Sequence, residues 1–347
     1  MSDKWYLVSG LGSNSGNDFS SIQYELGTES GTLTYNDLTE PRQYFTLNGP
    51  VNDGQNVTAF NWTAIQINSS SDPLPNGPFW IRANVQASYI QGMKFNLEAQ
   101  ETYTSLPVDT ISGTTWNLWN GQTNTLQTTA HNITILAEGR YGFKLDNNPY
   151  SSLQTGVIDS FSGGGPTPNP NGPNVVVDWN SNFTIAYWVK LNPDNSKWRT
   201  LNRFYPFGQG AHYPAFLPGQ DDLIFWINEW QGGQGAQFPN YIDSNGNNVN
   251  FTGETDVWKL IITTVEPTNS KVYLGDDNSA PVLKGEATRY QSGNIFTGTQ
   301  YIWQIGHPRG SNGDGPGLVG QVTYWDRLLT TNEMNDYWGD TKVTSSV

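Results

Sequence analysis

The sequence predicts an all-β protein made of two antiparallel β-sandwich, jelly-roll-like domains, and three observations carry that expectation. Helical periodicity is nearly absent along the 347 residues. Short runs rich in Val, Ile, Thr, Tyr, Phe and Trp recur instead, the side chains that fit a pleated, half-buried surface. Between them stand turn pairs such as Asn76-Gly77, Asn120-Gly121, Asn245-Gly246 and Asn312-Gly313, which reach the positive φ of tight hairpins cheaply. Many short strands punctuated in this way are the pattern of sandwiches.

In chain order the strand-like runs are residues 56–67, 79–87, 94–99, 132–136, 140–145, 175–178, 184–191, 223–228, 258–265, 271–274 and 321–325. The length allows two domains, each with its own core. They are drawn here as 1–139, an N-terminal sandwich for assembly or anchoring, and 140–347, a second sandwich opened by the run at 140–145. Residues 162–173, Ser-Gly-Gly-Gly-Pro-Thr-Pro-Asn-Pro-Asn-Gly-Pro, read as a long loop of the second domain, because Pro and Gly oppose both ladder hydrogen bonds and helix. One helical turn is expected near the end. Thr330 and Glu333 have capping-box spacing, with Met334 and Tyr337 following on one face, so a short lid should pack against the sandwich edge.

Composition narrows the partners. Charged residues are 14% of the chain, against about 25% for an ordinary globular protein, so the polar surface must come from Asn, Gln, Ser, Thr and Gly. Such a surface suits neutral polar partners, either sugars or other subunits. The net charge is −14 with 17 Lys and Arg, and without a basic cluster neither nucleic acid nor an anionic membrane surface is an expected partner. Cysteine is absent, which excludes disulfides and thiolate metal sites and favours folding in a reducing cytosol. No run approaches the roughly 18 apolar residues of a membrane span, and the opening MSDKWYLVSG has no apolar leader core. Membrane insertion is therefore not expected, and release by assembly rather than by a signal peptide is. Six Asn-x-Ser/Thr sequons, at Asn56, Asn61, Asn68, Asn132, Asn182 and Asn250, are read as chance in an Asn- and Thr-rich chain.

The C-terminal half carries ordered signatures. They are Tyr141-Gly-Phe-Lys-Leu-Asp146, Asn182-Phe-Thr-Ile-Ala-Tyr-Trp-Val-Lys-Leu191, Asp256-Val-Trp-Lys-Leu-Ile-Ile-Thr-Thr264, Lys271-Val-Tyr-Leu-Gly-Asp-Asp277, Ile302-Trp-Gln-Ile-Gly306 and Gly320-Gln-Val-Thr-Tyr-Trp-Asp-Arg-Leu-Leu329. In order and spacing they resemble the laminin-G-like, concanavalin A-like lectin/glucanase superfamily, with an opening strand, an inner strand, a strand begun by Trp, its hairpin and a closing strand. The resemblance implies a concanavalin A-like sandwich over about 140–347. Alternation places Ile185, Tyr187 and Val189 on one face of the inner strand and Thr184, Ala186 and Trp188 on the other. One face should fill the core, and the other should line the open sheet where such folds bind ligands. The N-terminal part, unassigned, is compatible with a viral-type jelly roll.

The reactive constellations of this fold are missing from the sequence. Its glycoside hydrolases set acid and nucleophile on one strand as Glu-x-Asp-x-Glu, and no such run occurs; Glu229, Glu254 and Asp256 read as solvated rim acids. The three histidines, His131, His212 and His307, have no zinc spacing. The candidate glycan strip is 225–241, where Trp226, Trp230 and Tyr241 supply apolar ring faces and Gln231 and Gln234 supply amides. The competing reading makes Trp226 a core residue and packs Trp230 on a loop or a neighbouring subunit. A calcium loop is drawn at Asp243, Asn245 and Asn247, whose oxygens alternate without the closing Glu, and the competing reading is a plain Asn-Gly turn. Asp276 and Asp277 form a second acidic turn. No enzyme activity is expected.

Together these readings point to a non-enzymatic structural component of a virus particle, such as a capsid, fibre or appendage protein, displaying a lectin-like domain for host glycan attachment. Its partners would be copies of itself, other virion proteins and cell-surface glycans, and its location the virion. The alternatives are a free, extracellular carbohydrate-binding or adhesion protein of a microbe, and a polysaccharide hydrolase with a non-standard acid pair.

Overall fold

The computed structural model describes residues 4–8, 18–26, 29–50, 60–83, 87–101, 108, 110–111, 116–119, 135–145, 152–155, 158–162, 165–168, 181–194, 196, 198–201, 203–205, 211–216, 221–226, 240–288, 302–306, 313–314 and 316–343. They fall into two compact units, 1–87 and 88–347. Unit 1 has strands β1 (Lys4–Val8), β2 (Ser21–Leu26), β3 (Glu29–Thr34), β4 (Gln43–Pro50), β5 (Phe60–Gln66) and β6 (Phe79–Ala83). Unit 2 begins with β7 (Met93–Glu98), β8 (Trp116–Trp119), β9 (Ile135–Ala137), β10 (Tyr141–Lys144), β11 (Ser152–Thr155), β12 (Ile158–Ser162) and β13 (Gly165–Pro168). It continues through β14 (Phe183–Leu191), β15 (Trp198–Thr200), β16 (Arg203–Tyr205), β17 (Ala211–Phe216), β18 (Leu223–Trp226), β19 (Trp258–Val265), β20 (Asn269–Asp276), β21 (Ser279–Thr288), β22 (Ile302–Ile305), β23 (Gly313–Asp314) and β24 (Gly317–Trp325), and ends in helix α1 (Thr331–Thr341). The described fold is β throughout except for that helix and two single 3-10 turns.

In unit 1 a four-stranded antiparallel sheet, ordered β1-β6-β4-β5, and the β2–β3 hairpin share one core. The cross-strand pair Ile22 and Leu33 is fully buried from the hairpin side, as are Phe79 and Ile81 from the sheet side. Each such side chain contributes roughly 1.5–3 kcal/mol of apolar burial.

Unit 2 is a sandwich of two large sheets. The first runs β21-β20-β19-β14-β24-β10-β9, with β7 also paired to β24; the second runs β23-β15-β17-β16-β22-β11-β8, with β18 on β17. Pairing is antiparallel except between β15 and β23. Ile185, Tyr187, Val189, Ile261, Val322 and Tyr324 of the first sheet meet Trp116, Leu153, Phe216, Leu223 and Ile305 of the second in one core. The inner strand β14 lies between β19 and the closing strand β24 over nearly its whole length.

Two expectations are corrected here. The division falls at 87/88, well before residue 139, because β7, β8 and β9 pair with β24, β11 and β10 and so complete the sheets of unit 2. The Gly/Pro stretch is also not all loop. Residues 165–168 form β13, paired with β12 as a two-stranded hairpin, where each strand has an outer side with no ladder and a proline is tolerated. The run at 175–178, and 169–173 of the Gly/Pro stretch, lie outside the described residues.

The start of β24 depends on one glycine. Gly317 has φ +111, and a Cβ there would stand 2.3 Å from the Lys190 carbonyl oxygen and 2.6 Å from the Asn192 nitrogen. Gly317→Ala should cost roughly 3 kcal/mol through left-handed strain and overpacking against backbone. A lowered urea midpoint at unchanged m-value is the expected reading.

Candidate functional site

The open sheet face expected to receive ligand is filled by the chain itself. Thr184, Ala186 and Trp188 of β14, Leu260 and Ile262 of β19, and Thr323 and Trp325 of β24 point away from the sandwich core, and all seven are fully buried. Helix α1 lies on them. Its Tyr337 ring packs edge-on against Trp325 at 5.1 Å and Tyr89 at 5.5 Å, and the Tyr337 hydroxyl is 2.9 Å from Thr323 Oγ1. Trp188 Nε1 donates to Thr341 Oγ1 at 2.9 Å, and Trp338 Nε1 to the Asp276 carbonyl at 2.7 Å. The lid expected at the sandwich edge therefore covers the sheet face, because its apolar stripe has a Trp- and Leu-rich surface to bury.

Arg140 fixes this arrangement. Its guanidinium lies 3.8 Å from the Trp188 ring centroid and 5.8 Å from that of Trp258. Its terminal nitrogens donate to Asp277 Oδ1 at 2.8 Å and to the Thr341 carbonyl at 2.9 Å. Glycines make room for the rings: a Cβ on Gly142 would come within 2.9 Å of the Trp258 ring, and one on Gly320 within 2.7 Å of Arg140 Cδ. Burial pulls the guanidinium below its ordinary value, with Asp277 opposing. Burial likewise raises Glu98, at the margin of this face, against the pull of Arg140.

The helix start matches its signature. Glu333 N–H donates to Thr330 Oγ1, Thr330 N–H donates to Glu333 Oε2 at 2.8 Å, and Arg327 grips both carboxylate oxygens at 2.7 and 3.0 Å. Burial works to raise the Glu333 carboxyl, but Arg327 and the Thr330 hydrogen bonds outweigh it and hold it below its ordinary value.

Of the candidate residues in the glycan strip, Tyr241 is the one whose side chain is described. Tyr241 is fully buried, its hydroxyl 2.8 Å from Ser270 Oγ, so it belongs to the sandwich core and offers no ring to a ligand. Trp226 ends β18 with its backbone paired to His212 of β17. Trp230, Gln231 and Gln234 lie outside the described residues, as do Glu229, His131 and His307.

At the calcium loop, Asp243 Oδ1 accepts the N–H groups of Asn245 and Asn247 at 2.8 Å each, and Asn247 Nδ2 approaches Oδ2 at 3.4 Å. These bonds hold the Asp243 carboxyl below its ordinary value. With Gly246 at φ +84 this is a self-satisfied turn whose amides point donors at the carboxylate, the geometry of the competing Asn-Gly turn reading. Among the described residues no group of three His, Asp or Glu is placed to hold a metal. The rim acids are ion-paired: Glu254 with Lys259 at 3.1 Å and Asp256 with Lys190 at 3.2 Å. Of the sequons, Asn68, Asn182 and Asn250 are exposed, and the Asn250 amide donates to Asp222 while accepting from Thr252.

One surface of unit 1 was missed. Register places Trp5 opposite Arg82, Trp80 opposite Phe45, Phe45 opposite Ala64, and Gln43 opposite Gln66. All lie on the face turned away from the core residues Tyr6, Val8, Phe79 and Ile81. Trp5 is 45% exposed, the one exposed tryptophan among those whose side chains are described. Its ring meets Phe45 at 5.2 Å and 69°, and Trp80 is half-buried. The signal was present as alternation, with Trp5 two residues before Leu7 and Trp80 two before Arg82, but short strands gave it no face to be assigned to.

No family model matches the chain. No curated protein matches it. Solved structures do. The binding domain of botulinum neurotoxin DC in complex with rat synaptotagmin II is similar over 73% of this chain and 52% of that one, at 12% identity and TM-score 0.47. The same binding domain in complex with SialylT aligns over the same shares at 13% identity and TM-score 0.47. The binding domain of Paraclostridial Mosquitocidal Protein 1 aligns over 73% and 53% at 13% identity and TM-score 0.45. The chain thus spans about half the length of the structures it matches.

Two measurements check the closed face. Arg140→Ala leaves Asp277 without its cation and Trp188 without its cover, and should cost roughly 3 kcal/mol of unfolding free energy in urea. Because Glu333 is depressed in the folded state, its contribution is complete above the ordinary carboxyl value of 4.5 and is lost as pH falls through the lower folded value. The near-UV circular dichroism of the Trp325–Tyr337 contact should fade in that acid range, and Glu333→Gln should remove that part of the pH dependence.

Proposed function

We propose that this chain is a non-enzymatic attachment protein that binds carbohydrate. The observation that carries the reading is the filled sheet face of unit 2. A polysaccharide hydrolase on such a sandwich needs an open trough with two carboxylates flanking the scissile bond. Here the corresponding face holds Ala186, Trp188, Leu260, Ile262 and Trp325 beneath a helix, and the rim acids Glu254 and Asp256 are held by lysines. What is left for a partner is a surface poor in charge and rich in amides, hydroxyls and a few exposed rings, which favours neutral sugars over charged polymers. Carriage of this function on a virus particle is the finer expectation from the sequence. It would multiply a weak contact by copy number, and cosedimentation of the native protein with particles tests it.

The full chain should bind members of a glycan array and release no new reducing ends from β-glucan, agar or alginate. Binding should change little between low and physiological salt, because the described surface residues are poor in charge. Release of reducing ends, or silence across the array, would sink the proposal.

A further inference from the structure

The geometry points to a carbohydrate-binding site on the outer face of the unit 1 sheet, where Trp5 is the stacking surface for a neutral pyranose. The inference rests on the attachment reading and gives it a place in the fold.

The face is built in two rows. Trp80, Phe45 and Ala64 stand opposite one another across β6, β4 and β5, and beside them run Trp5 opposite Arg82 and Gln43 opposite Gln66. Neighbouring strands are about 4.8 Å apart, so Trp5 on β1 and Phe45 on β4 are separated by the whole of β6. Their rings nevertheless meet at 5.2 Å. The indole therefore leans across the sheet and is braced by Phe45, a geometry fixed before any ligand arrives and so less costly to use on binding.

The occupant follows from the mixture. A tryptophan 45% exposed, in a chain that buries Trp116, Trp188 and Trp325 completely, offers apolar surface that a sugar's C–H face can cover. Gln43 and Gln66, side by side, offer donors and acceptors for ring hydroxyls. Arg82 is the only charged side chain among the described residues of this face, and the whole chain carries a net charge of −14, which disfavours phosphate-bearing partners. A β-linked glycan, whose equatorial substituents leave the ring faces flat, is the class that fits an aromatic platform bordered by amides.

The test uses the full chain and three probes: hexasaccharides of β-linked glucose, β-linked N-acetylglucosamine and α-linked mannose, titrated by calorimetry. The wild type should bind one of the β-linked probes. Trp5→Ala should weaken it on the order of tenfold or more, Trp5→Phe should restore part of it, and Gln66→Ala should weaken it less. Tyr141→Ala, which removes an exposed ring of unit 2, should leave it unchanged, and far-UV circular dichroism should show each variant folded. Undiminished binding by a folded Trp5→Ala overturns the site while the attachment reading stands. Binding of no glycan by the wild type overturns both. A wild-type dimer that Trp5→Ala converts to monomer, with no probe competing, overturns the site by making this face an interface between copies.

Discussion

A single buried guanidinium organises the closed face of unit 2. Arg140 touches the indole of β14, the hairpin tip between β20 and β21 through Asp277, and the last turn of α1 through the Thr341 carbonyl. Asp277 in turn accepts the Val343 N–H just beyond the helix. Removing either charge would leave the other uncompensated, so the contacts hold as a group. The helix C-terminus also gains a cation near its free carbonyls, where the dipole favours one. Gly142 and Gly320 belong to the same device, since a side chain at either would push the Trp258 ring or the Arg140 stem out of the stack.

The low charge content becomes intelligible once the ion pairs are placed. Lys190 serves both Glu138 and Asp256, and Lys259 serves Glu254 and Asp276. Arg199, wholly buried, pairs with Asp221 at 2.7 Å beside Phe216. These few cations tie neighbouring loops and strand ends together. The long edge strand β21 is defended by other means. Ile242 exchanges both backbone hydrogen bonds with Glu286, the same loop passes so close to Gly285 that no Cβ would fit, and Pro281 has no N–H to offer. Between these two points the exposed run Val282, Leu283 and Lys284 is short and ends in a lysine.

How much was legible followed the strength of the local signal. β14, β19 and β24 are long, β-branched and aromatic, and their place and order could be read directly; so could the capping box at Thr330 and Glu333. The domain limit was misread because β7, β8 and β9 are short and belong by pairing to the sheets of unit 2: β7 joins β24, more than two hundred residues later, β8 joins β11, and β9 joins β10. No window of sequence records that. Tyr241 and Asp243 were ambiguous in the sequence for a related reason. An aromatic beside amides, or an alternation of Asp and Asn, specifies chemistry only once its surroundings are known, and here the surroundings were a core for one and a turn for the other. The fate of the outer sheet face was equally hidden, since Thr184, Ala186 and Trp188 read the same whether water, ligand or a helix covers them.

The two units treat tryptophan in opposite ways. In unit 2 the indoles of Trp188 and Trp325 are covered by the chain's own helix, with the Trp188 N–H donating to Thr341 Oγ1 of that helix and the Trp325 N–H to the Tyr89 carbonyl, so their apolar area is already spent on stability. In unit 1 the same residue type at Trp5 remains almost half exposed on a face whose other side is a complete core. A sandwich gains nothing in stability from an indole left in water, and unit 1 already buries Phe19, Phe79, Ile22 and Leu33 fully without it. Retaining so large an apolar ring at the surface, braced by Phe45 and bordered by amides, makes sense when something outside the chain completes the contact.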